Sequence, residues 1–255
     1  MALEFQGAAT PLCEADFQRA ADRLACEVAA IKAVAQIESG GRSGFLSDKR
    51  PLILFESRWF HKLTNAAHDK SHPDISTPKW VRNYDGGAGE YDRLARAIAL
   101  DRAAAFRSTS WGMFQILGIN HAPAGFACVE TFVDAACACE GAHLDAFVSF
   151  VVTNRLDDEL RDRRWDDFAR AYNGPGYRQN RYAKKMAAAY AKYAAKASLP
   201  SIVQIQMALN KFGATLDADG IFGPRTRAAL RHFQWERGLP ITGVGTKASL
   251  AALGL

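Results

Sequence analysis

The chain has 255 residues, 49% of them apolar and 23% charged, which is material for one large domain or a domain with an attached module and excludes a disordered or fibrous chain. Its formal net charge of +5 is gathered into a basic run only in "RQNRYAKKMAAAYAKYAAK", so a polyanionic partner is compatible with the charge but not demanded by it. Five cysteines at irregular spacing do not make a secreted disulfide framework, and reduced thiols are expected.

In chain order, "TPLCEADFQRAADRLA" opens on a Thr-Pro helix entry. The next helix, "AAIKAVAQIESGGRSG", is apolar along one side through Val28, Ile31, Val34, Ala35 and Ile37, and stops at Gly40 and Gly41. Glu38 falls in its last turn, where unpaired carbonyls favour a cation or a neutral acid. Desolvation by apolar neighbours would act in the same direction and suit Glu38 to general acid work. A solvated glutamate at a fraying helix end is the other reading of that segment.

"RPLILF" reads as a short strand headed by Pro51, followed by the helix-like "ESRWFHKLTN". Ala66 to Gly89 is polar and broken by Pro and Gly, hence loop, and "EYDRLARAIALDRAAAF" reads as one amphipathic helix. In "STSWGMFQI", Gly112 permits close backbone approach, and the amide of Gln115 suits sugar hydroxyls and acetamido groups. Further helices follow, broken at "AYNGPGYRQN" and ending in "RYAKKMAAAYAKYAAKA". No charged-then-apolar leader and no apolar run near ~18 residues is present, so neither a signal peptide nor a membrane span is expected.

"SLPSIVQ", with Ser198 and Pro200, marks a domain boundary, giving expected domains of 1–197 and 198–255. The second reads as three helices, "SIVQIQMALNKFG", "PRTRAALRHFQWERG" and "VGTKASLAAL". Ile205, Leu209, Phe222, Leu230, Phe233, Leu239 and Leu250 are its expected core. Neither a metal nor a cofactor is expected. Cys128, Cys137 and Cys139 lack a second ligand pair, and His61, His68 and His72 fall in loop-like sequence.

The order E-S-G-G, then S-x-x-G-M-F-Q-I, then A-Y-N-G-P-G resembles the lysozyme superfamily, particularly goose-type lysozymes and soluble lytic transglycosylases. With "RPLILFESRWFHKLT" included, residues 10–196 resemble the N-acetylmuramidase domain of endolysins from phages of Gram-negative bacteria. The last unit resembles the three-helix peptidoglycan-binding domain through "DGIFGPRTRAALRHFQWERGLPITGVG". The resemblance implies a mainly α, lysozyme-like catalytic domain with a small β element, followed by that three-helix module. It implies Glu38 as catalytic acid, with Ser110, Gln115, Tyr172, Asn173 and Tyr182 along the glycan cleft. An inverting hydrolase also needs a second carboxylate, for which Glu56 and Asp48 are candidates; Glu56 could equally be a helix-start glutamate. A transglycosylase would use the sugar's 6-hydroxyl instead.

The expected function is therefore cleavage of the MurNAc–GlcNAc β-1,4 bond by a monomeric lytic enzyme bound to bacterial peptidoglycan. Host cytoplasm until the membrane is permeabilised, then periplasm and wall, is its expected location, with no nucleic-acid partner and no membrane insertion. A wall-binding protein without activity is the rival class. A nucleic-acid-binding helical protein rests only on the basic 178–196 stretch, whose alternation with Ala and Tyr better fits a solvated face.

Overall fold

The computed structural model describes residues 4–79, 84–174, 178, 180–197 and 200–255. Two compact units, Met1–Tyr193 and Ala194–Leu255, each hold a hydrophobic core.

In the first unit, α1 (Glu14–Leu24) ends on Ala25 in the left-handed region and turns the chain into α2 (Val28–Glu38). Five of the first eight residues of α2 carry no more than a methyl or isopropyl group that is fully enclosed, so the helix can be buried on most sides. Gly40 and Gly41, at φ 61° and 73°, close it by returning their N–H groups to Ile37 O and Gln36 O. β1 (Ile53–Phe55), β2 (Thr109–Trp111) and β3 (Ile116–Leu117) form an antiparallel sheet in that order. Ile53, Trp111 and Ile116 are cross-strand neighbours on the core face, while Leu54, Ser110 and Leu117 share the other.

After α3 (Ser57–Leu63), the expected single amphipathic helix is two helices, α4 (Glu90–Leu100) and α5 (Arg102–Arg107). Asp101 breaks it. Its backbone is extended, and its carboxylate accepts from Ala104 N at 2.8 Å, so it caps α5 instead of continuing α4. Beneath lies a fully buried ion pair: Glu90 accepts from Phe55 N at 3.0 Å and Arg93 at 3.2 Å, and Arg93 donates to Phe55 O at 3.2 Å. The pair ties α4 to the end of β1.

α6 (Val129–Ala138) leads into the central α7 (Glu140–Thr153), apolar almost all round, whose Phe147 stacks on Phe114 at 4.6 Å. α8 (Asp157–Arg161), α9 (Trp165–Asn173) and α10 (Tyr182–Ala197) complete the order. Among the described residues no helix is long and apolar enough to cross a membrane, and the five cysteines are free.

The second unit contains α11 (Ile202–Lys211), α12 (Pro224–Glu236) and α13 (Lys247–Ala252). Ser201 and Gln204 form a capping box at the head of α11. Leu239 lies outside the core cluster, into which Ala208 and Leu253 pack instead, and Phe222 covers its edge. Leu239 follows the turn at Gly238, so its side chain is set by the loop rather than by a helix face. Two buried glutamines repeat one device. Gln206 accepts from Gly220 N and donates to Asp219, Ile221 O and Thr226; Gln234 accepts from Gly243 N and donates to Thr242, Val244 O and Ser249.

Candidate active site

Glu38 ends α2 half-buried, and two tyrosines from distant segments feel its charge. The phenols of Tyr172, from α9, and Tyr182, which opens α10, are both pushed up, first by burial and then by the Glu38 carboxylate. Tyr172 is further fixed by aromatic contacts with Phe147, Phe150 and Phe168, and its hydroxyl donates to Phe114 O at 3.1 Å. Phe114 lies in the β2–β3 hairpin. The end of α2, the end of α9, the start of α10 and the hairpin therefore converge on one place.

Gln115 stands at the hairpin tip, exposed and at φ 49°, with its Nε2 donating to Gly112 O at 2.8 Å and Leu52 O at 3.3 Å. Its amide nitrogen is thus spent on the backbone, which leaves the carboxamide oxygen as its acceptor for a ligand. Ser110 is only 5% exposed in the middle strand, on the face opposite the core residues. Asn173 is the last residue of α9, but its side chain lies outside what is described, as do Pro175, Gly176, Tyr177, Ser198 and Leu199.

Two buried residues of α7 that carry no motif support the hairpin and the segment that follows α2. His143, buried in α7, has Nε2 2.6 Å from Ala136 O and Nδ1 accepting from Met113 N at 3.2 Å, which assigns the neutral Nε2–H tautomer. Burial pushes its pKa down. A Cβ on Gly112 would come within 2.7 Å of this ring, and one on Gly44 would come equally close to Nδ1. The close approach expected of Gly112 is therefore to a histidine. Glu140, one turn earlier and also buried, accepts from Leu12 N, Ser43 Oγ and Gly44 N. Its sequence signal is a glutamate and a histidine one turn apart inside the apolar run "ACACEGAHLDAFVSFVV".

The two candidates for a second carboxylate differ. Asp48 is held well below its usual range by Arg50, whose Nη2 lies 2.7 Å from it. Glu56 occupies the cap position of α3 without making a side-chain cap bond, and burial raises its pKa. It is on the same side of the extended chain as Leu54, and its N–H continues the ladder to Ser108 O at 2.9 Å. Glu56 lines a cavity of about 520 Å³ with Arg58, Trp59, His61, Lys62 and Pro78. His61 is in α3 rather than in loop, with Nδ1 2.8 Å from Asp69, which also accepts from Ser76. Among the described residues no group of three or more His, Cys, Asp or Glu side chains could hold a metal ion.

The N-acetylmuramidase family model matches residues 27–194, and that of a peptidoglycan binding domain matches residues 198–253. Among solved structures, that of the Burkholderia AP3 phage endolysin is similar at 40% identity and a TM-score of 0.69, over 74% of this chain and 72% of that one. No curated protein matches the chain significantly.

Proposed function

Because the chain belongs to the N-acetylmuramidase family and is a peptidoglycan-degrading endolysin with a peptidoglycan-binding domain, we propose that Glu38 is its general acid and Glu56 its second carboxylate. The observation that carries this reading is the convergence of Glu38, Tyr172, Tyr182 and the Gln115 hairpin. Glu38 gives its proton to the glycosidic oxygen as the bond from C1 of the muramic acid breaks, and an oxocarbenium-like centre develops. Glu56, desolvated and uncommitted to a cap bond, takes a proton from the water that adds to C1. Asp48, neutralised by Arg50, is the weaker base. Tyr172, Tyr182, Gln115 and Asn173 line the glycan, and Ser110 supports the sheet face beneath it.

The test is substitution with product analysis. Glu38→Gln keeps the shape and removes the proton, so lytic activity falls by roughly 10²–10⁴, whereas Glu56→Gln gives a smaller loss. Wild-type lysis by Glu38→Gln would refute the assignment. Mass spectrometry of the digest should find reducing muramic ends; 1,6-anhydro ends, one water lighter, would mean that the sugar's own 6-hydroxyl completes the reaction.

The domain division is taken as 1–197 for cleavage and 198–255 for wall attachment, in a monomer that needs neither nucleic acid nor membrane insertion. Free cysteines fit storage in the reducing host cytoplasm, with the inner membrane between enzyme and wall until another agent opens it. Expression alone is then tolerated, and chloroform treatment of expressing cells causes rapid lysis.

A further inference from the structure

The cavity beside Glu56 carries charge that the cleavage step does not use. Arg58 and Lys62 are exposed one helical turn apart on α3, and among the described residues neither has a carboxylate at ion-pair distance. Nearby Arg50, Arg93 and Arg96, by contrast, each close on one. Like charges at this spacing repel, and an anion bound between them would relieve that repulsion. Trp59 stands between them in sequence, half-buried, with Lys62 Nζ 5.0 Å from its ring centre. His61, oriented by Asp69, adds a further polar group to the same wall.

We propose that this cavity binds the acidic stem peptide of the muramic acid being cleaved, with Arg58 and Lys62 receiving its carboxylates and Trp59 its aliphatic stems. The inference rests on the assignment of Glu56 to the reacting sugar. If C1 of that sugar is at Glu56, its C3 is one ring width away, and C3 carries the lactyl ether from which the peptide extends. A volume of about 520 Å³ is of the size that holds a small ligand rather than a water. Fork-shaped Arg58 and the more mobile Lys62 suit carboxylates that differ in spacing along a peptide.

The experiment compares two substrates and one binding probe, using the full chain. Purified glycan strands are offered with their stem peptides or after an amidase has removed them, and the free stem tripeptide is titrated by calorimetry. With Arg58→Ala and Lys62→Ala combined, cleavage of peptide-bearing strands should fall about tenfold or more, as expected for loss of one or more charge-assisted hydrogen bonds, while denuded strands are cut at the wild-type rate. Tripeptide binding should weaken by a similar factor. Equal loss on both substrates, no loss on either, or tripeptide binding unchanged by the double substitution would overturn the proposal. An error in the underlying assignment shows separately, as a Glu56→Gln enzyme that cuts denuded strands at the wild-type rate, and removes the ground for placing the peptide here.

Discussion

At the scale of single residues, His143 sets the hairpin that bears Gln115. Gly112 has φ 70° and room for no Cβ, so Gly112→Ala combines left-handed strain with a clash and should cost roughly 2–5 kcal/mol, read as a lower urea midpoint. His143 also makes stability pH-dependent. Its folded pKa lies below that of the unfolded chain, so below about pH 6.5 the unfolded state takes up the proton first. The stability contributed by the neutral ring is complete above that pH and is lost as pH falls towards and through the folded value. Melting temperatures measured from pH 7.5 down to 5 should therefore drop, and His143→Gln should lower stability at pH 7.5 while flattening that slope. The motifs put Glu38, Gln115 and Tyr172 in view from sequence, because each combines a chemically capable side chain with turn residues. Glu140 and His143 escape notice, since only the fold brings them the atoms they hold, Gly44 from 96 positions away and Met113 from 30, and a glutamate and a histidine one turn apart in an apolar run are a weak signal on their own.

At the scale of elements, helix existence follows from apolar spacing, and both the Gly40–Gly41 stop and the Pro224 start are where the sequence puts them. The break between α4 and α5 is hidden because Asp101 is unremarkable on a helix surface. Only its choice to cap the next helix reveals it. The Glu90–Arg93 pair is likewise illegible, as an i, i+3 pair normally signals a solvated face. Buried as it is, removing one member leaves an uncompensated charge under β1. Arg93→Met should cost about 3–5 kcal/mol in urea unfolding and loosen the Glu56 end of the strand, so activity should fall with it.

For the whole molecule, cleavage and attachment are expected to be separable. A chain ending at Ala197 should remain folded, because the first unit has its own core, and should cut short glycan fragments at the full rate. It should clear whole sacculi more slowly, since the tether no longer raises local substrate concentration. Residues 198–255 alone should sediment with sacculi at modest salt. The paired glutamines of that module carry a consequence for how it can change. Each of its two loops is gripped from within, by an amide facing the core and holding backbone atoms, so the outward side chains bear none of the load. Ile221 and Val244, at matching places and 65% and 46% exposed, are such side chains. The module is built like a tool holder with a fixed chuck and exchangeable bits: residues at these outward tips can change without loosening either loop, while Gln206 and Gln234 cannot.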